Sequence, residues 1–107
     1  MAEVLIQRDE TSRIIGLVVR NLGMETIAGA SVFYLLWAVV GSLTDYLHVP
    51  VGSSETDATY LTIDRSDAHL DREIDAILQT LVRGLKLVEK EYPDDLLVQE
   101  ATIGVEV

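Results

Sequence analysis

No cysteine occurs anywhere in the 107 residues. Disulfides, thiolate metal sites and cysteine nucleophiles are therefore excluded. Lysine is almost missing as well. Lys86 and Lys90 are the only two, and Lys and Arg together number 8 against 18 Asp and Glu, a formal net charge of −10. Binding to duplex DNA or RNA needs a basic face, so a direct nucleic-acid partner is not expected. The acidity fits solubility, a basic protein partner or a high-salt cytoplasm. The glycines make neither GxGxxG nor GxxxxGK[ST], no serine lies in GxSxG, and His48 and His69 belong to no HExxH. Phosphate-binding loops and the common hydrolase and zincin signatures are thus missing. No basic-then-apolar leader opens the chain, since Glu3, Asp9 and Glu10 interrupt it, and the expected compartment is the cytoplasm.

What is present is apolar. Residues of the hydrophobic types make up 49% of the chain, too many for a disordered tail and enough for one modest core, so 1–107 reads as a single domain. The stretch from Thr26 to Thr44 carries no charge. At helical rise it is about 28 Å long, close to the thickness of a bilayer core. Arg8, Arg13 and Arg20 precede it, an arrangement that would keep the N-terminus of an anchored chain in the cytoplasm.

Placed at about 100° per residue, this stretch divides into two arcs. Val32, Phe33, Leu35, Leu36, Val39, Val40, Leu43 and Leu47 fall on one. Thr26, Ala30, Ser31, Tyr34, Trp37, Ala38, Gly41, Ser42, Thr44, Asp45 and His48 fall on the other, with Ile27 as the one large aliphatic among them. A lipid-facing helix would be apolar all round, so the division favours a globular helix. The second arc has no Lys, Arg or Glu and suits a protein surface or a pocket.

The remaining elements follow from periodicity. Asp9, Thr11 or Ser12 can cap a helix over about 10–22, with Ile14, Ile15, Val18, Val19 and Leu22 on one face and Gly23 as a left-handed stop. A helix over about 24–47 then completes a hairpin. A third helix over about 67–91 carries the stripe Leu70, Ile74, Ile77, Leu78, Leu81, Leu85 and Val88. Its acids lie toward the N-terminus and Arg83, Lys86 and Lys90 toward the C-terminus, complementing the dipole. Short strands fit near 3–7, 58–63 and 101–107. The expected class is mainly α, with α+β as the alternative.

Asp64, Asp67, Asp71 and Asp75 share one side of the third helix, but of the i, i+3 pairs that magnesium-binding helices use, Asp64–Asp67 straddles the helix start and Glu91–Asp94 crosses Pro93, so the four read as a hydrated stripe. No metal and no cofactor are expected. The residues point to a small acidic non-catalytic interaction module, an accessory subunit, adaptor or inhibitor. It would self-associate through 24–47 and offer its acidic surface to a basic protein partner. Ala30, Ser31, Tyr34, Trp37, Ala38, Gly41 and Ser42 are the expected interface. Two alternatives stand: a single-pass membrane subunit anchored by 27–43, and a small-molecule binder with a pocket at Tyr34, Trp37, Asp45 and His48.

Overall fold

The computed structural model describes residues 1–103, and the architecture is α+β, not mainly α. Seven elements make the layers: β1 (Ala2–Arg8), β2 (Ile14–Arg20), α1 (Ile27–Gly41), β3 (Val51–Glu55), β4 (Thr59–Ile63), α2 (Asp71–Glu91) and β5 (Leu96–Thr102). A π-helical turn, Ser42–Tyr46, extends α1, and a 3-10 turn, Ala68–Leu70, leads into α2. The five strands form one mixed sheet in the order β3-β4-β2-β1-β5. All neighbours are antiparallel except β1 and β5, which run parallel from Ala2↔Leu96 to Arg8↔Thr102.

The helical hairpin expected over 10–22 and 24–47 is therefore corrected: its first arm is the strand β2. This strand is hydrogen-bonded on both sides, to β1 and β4. Ile14, Gly16, Leu17, Val18 and Val19 are all buried. A strand buried on both faces reads as a continuous apolar run, and such a run satisfies helical spacing by filling it. The β-branched Ile14, Ile15, Val18 and Val19 favour the pleat. The expected stop at Gly23 is corrected as well: Asn21 takes the left-handed conformation, with φ 55°, and no glycine does among the described residues.

Asp9 builds a hairpin turn between β1 and β2 where a helix cap was expected. Its Oδ1 accepts from the Thr11 backbone N–H at 2.9 Å, the Thr11 hydroxyl at 2.8 Å and the Arg13 N–H at 2.9 Å, while Oδ2 takes Arg13 Nε at 2.8 Å. The Thr11 hydroxyl first, then the Arg13 contacts, hold this carboxyl well below its ordinary value of 3.8. A carboxyl depressed by folding stabilises the native state above its unfolded pKa, and that contribution disappears as pH falls through the folded one. Asp9→Asn should therefore lower the melting temperature at pH 7 and shrink the drop between pH 5 and pH 2. Melting curves of both proteins across that range check this; parallel curves would contradict it.

One face of the sheet carries both helices. Val4, Ile6, Leu17, Val19, Leu61, Ile63 and Leu96 share a core with Val32, Leu36, Leu43, Ile74, Leu78, Leu81 and Leu85. The aliphatic arc of the uncharged stretch is thus packed inside. Ile27–Tyr46 is long and apolar enough to cross a membrane by length and composition, but the arc an anchor would turn to lipid, Val32, Leu36 and Leu43, is buried against the sheet and α2. The stretch 27–43, expected in one alternative as an anchor, packs one arc into the core and leaves the other exposed. The Ser42 hydroxyl donates to the Ala38 carbonyl at 3.0 Å and the Thr44 hydroxyl to the Val40 carbonyl at 2.9 Å, where the helix widens into its π turn.

The segments 3–7 and 58–63 fall largely within β1 and β4. The strand expected at 101–107 lies earlier, at Leu96–Thr102, with Ile103 beyond its end and 104–107 outside the described residues. Strand β3 was not among the expected strands. Its VGSSE carries no alternation, and Gly52 to Glu55 are exposed at the sheet edge.

Candidate functional site

The second arc of α1 faces outward. Ile27, Tyr34 and Trp37 are 65%, 66% and 51% exposed, with Met24 and Tyr46 beside the two ends at 49% and 79%. Ala38 is exposed as well, and Ala30, Ser31, Gly41 and Ser42 are half-buried. Every interface residue expected from the sequence therefore lies on the accessible side of one helix. Phe33 braces the aromatics edge-on, its ring 5.4 Å from Tyr34 and 6.1 Å from Trp37.

Beside this arc, α1 and the sheet leave an apolar groove of about 90 Å³. Val19 from β2, Leu22, Phe33, Leu36 and Trp37 line it, with Leu61 from β4 opposite and Glu55 and Thr59 also on its walls. Its size suits one inserted side chain, well short of the roughly 300 Å³ where small-molecule sites begin. Of the expected ligand-pocket residues only Trp37 lines it; Tyr34, Asp45 and His48 do not. Asp45 and His48 are exposed at the far end of the helix. Leu22, Phe33 and Leu61 were missed because the sheet wall opposite α1 was not expected.

The start of α1 is tightly built. Thr26 Oγ1 accepts from the Gly29 N–H at 2.9 Å. Gly29 is buried, and a side chain there would overlap the Gly23 carbonyl oxygen. The loop after β2 thus lies directly on the helix because position 29 has no Cβ. Among the described residues, no histidine or carboxylate hydrogen-bonds to the Thr26 hydroxyl, and no three His, Asp or Glu side chains gather as metal ligands. Three of the four aspartates of the expected stripe serve structure. Asp64 accepts from the Ser66 N–H, Asp67 from the His69 N–H, and Asp71 pairs with Arg65.

No family model matches the chain. No curated protein matches its sequence either. Its fold does match solved structures. The essential ribosomal processing protease Prp from S. aureus, in complex with a substrate peptide, superposes with a TM-score of 0.82 at 16% identity, covering 94% of this chain and 100% of that one. Prp with a covalently linked product peptide gives a TM-score of 0.81 with the same identity and coverage. SMU.848 from Streptococcus mutans gives 0.74 at 17% identity, covering 96% of both chains. At such identity the likeness is one of fold.

This likeness overturns the expected helical, non-catalytic module self-associating through 24–47. That expectation needed a mainly helical fold whose exposed arc called for a partner helix. The chain has instead the fold on which a peptide-processing enzyme is built.

Proposed function

We propose that this protein binds an extended polypeptide segment along the exposed arc of α1, with one apolar side chain of the segment seated in the groove against Trp37. The observation that carries the reading is the apolar exposure of that arc, with Ile27, Tyr34 and Trp37 half or more exposed, on a chain of net charge −10. Contiguous exposed apolar surface of this kind marks interaction sites on soluble domains. The size of the groove favours a single side chain as the inserted group. The substrate peptide held by Prp, on the same fold, supports a peptide as the occupant. The neighbouring edge strand β3 leaves backbone groups on which an extended segment could pair.

Selection of a displayed random-peptide library on the immobilised protein tests this. Enriched sequences should share one large apolar residue. Trp37→Glu should weaken them at least tenfold, the loss expected when an apolar anchor worth about 1.5–3 kcal/mol is removed. Equal retention by Trp37→Glu would refute the assignment of the site.

The fold favours a second reading, hydrolysis of the bound peptide. With no cysteine in the chain, the reaction would need a hydroxyl or a water as nucleophile. The Thr26 hydroxyl lies at the amide-rich start of α1, without a base hydrogen-bonded to it among the described residues. Mass spectrometry of selected peptides after long incubation separates the readings: cut peptides that stay intact with Thr26→Val support hydrolysis, and intact peptides throughout leave binding. The core packing of the aliphatic arc supports a location outside the bilayer, for which release by carbonate wash is the check.

A further inference from the structure

A second surface, lined by no residue of α1, has the opposite character. Along α2 and the end of β1 runs an open groove of about 590 Å³. Arg8, Arg83, Lys86 and Lys90 line it, half of the 8 basic residues in a chain of net charge −10. Lys86 Nζ lies 3.0 Å from Glu100, and Arg8 reaches the same carboxylate at 2.8 Å. One acid is thus shared by two of the cations. Arg83 and Lys90 are exposed, and neither is ion-paired among the described residues. The groove carries local charge of about +3 in an acidic protein. That concentration was not legible from the sequence, because Arg8 is far in the chain from the other three and joins them through the parallel pairing of β1 with β5.

We propose that this groove binds an acidic peptide segment in extended conformation. The spacing supports a linear occupant over a compact phosphate: Arg83, Lys86 and Lys90 lie along one side of the helix, spread over roughly 10 Å at 1.5 Å per residue. Carboxylates on alternate residues of an extended chain recur at about 6.6 Å, which fits such a row. Leu87, exposed beside the cations, supplies aliphatic surface for the methylene stems of the acidic side chains, while the intervening side chains point away to solvent. A nucleic acid fits less well. None of the lining residues is aromatic, so single-stranded bases find no stacking platform. The net charge of −10 also repels a long polyanion beyond the groove itself. At physiological salt charges farther than about 8 Å are screened, so a short acidic segment experiences mainly the groove. This proposal concerns a surface separate from α1 and does not depend on the reading of that site.

The probe is an acetylated, amidated Glu-Val repeat of eight residues bearing a neutral dye, followed by fluorescence anisotropy in 0.15 M salt. The expected result is saturable binding that weakens in 1 M salt and is absent for the Gln-Val repeat. Arg83→Glu with Lys90→Glu should weaken it at least tenfold, while Arg72→Glu, outside the groove lining, should change it less than twofold. If the double glutamate variant fails to fold by circular dichroism, Arg83→Gln with Lys90→Gln is read instead, with at least threefold weakening expected. No binding by the wild-type protein, undiminished binding by the folded groove variant, or tighter binding of an oligothymidylate of equal charge would overturn the proposal.

Discussion

Leu81→Ala should lower the unfolding free energy by about 2–5 kcal/mol, a large fraction of the 5–15 kcal/mol that a domain of this size commands. Leu81 is 2% exposed and sits on the buried stripe of α2 with Ile74, Leu78, Val82 and Leu85. Across from α2 lie α1 and the sheet, two layers held in place by strand pairing, so the space left by the lost atoms collapses only in part. Asp75→Ala, a change on the same helix outside that stripe, should shift stability by less than about 0.5 kcal/mol. Urea unfolding of the two variants gives both numbers. A mild Leu81→Ala would mean that α2 does not dock as described.

Asp71→Ala should also destabilise the protein, for a different reason. Arg65 has a side chain only 4% exposed. Its Nη1 donates to the Ile14 carbonyl at 2.7 Å and its Nη2 to Asp71 Oδ1 at 2.7 Å, while Nε has no partner. The guanidinium thus ties the irregular start of β2, where the register with β1 shifts, to the first turn of α2. Arg13 lies 3.4 Å from the same carboxylate. Removing Asp71 leaves a buried cation with carbonyl partners alone and a second cation beside it. Asp71 is 37% exposed, so water offsets part of the cost of stranding Arg65, and the expected loss is read as a lower melting temperature at pH 7. Adding Arg65→Met removes the stranded charge and should recover part of it. If the double variant is less stable than Asp71→Ala, the stranded charge is not the cause.

The two helices are legible in the sequence for different reasons: α2 has a sharp contrast between polar and apolar faces, whereas α1 is apolar throughout and only separates its large aliphatics from its small and aromatic residues. In α2 the stripe from Ile74 to Leu85 is buried as its spacing requires, with Asp71 and Glu73 in the first turn and Lys90 in the last. In α1 the division of Val32 and Leu36 from Tyr34 and Trp37 reappears as buried against exposed. The sheet was far less legible. Strand β2 is covered by neighbours and lost its alternation, so Ile14–Arg20 matched a helix better than a strand. Strand β3 is fixed by its hydrogen bonds to β4, not by side chains, and Val51–Glu55 carries no pattern to read. The parallel pairing of β5 with β1 joins residues more than ninety apart, a contact no local window contains. For the site, the sequence supplied the α1 arc but not the wall facing it. Leu61 belongs to a strand whose place in the sheet depends on β2, so mistaking β2 hid the groove.

Trp37 is the single tryptophan of the chain, and it stands at the rim of the groove assigned to the peptide. Titration of the native protein with a peptide recovered by selection, reading tryptophan emission and its quenching by acrylamide, therefore reports on that site alone. The expected result is a saturable shift of emission to shorter wavelength with reduced quenching, at the same midpoint as binding measured by calorimetry. Calorimetric binding that leaves Trp37 emission and quenching unchanged would place the peptide elsewhere and contradict the account.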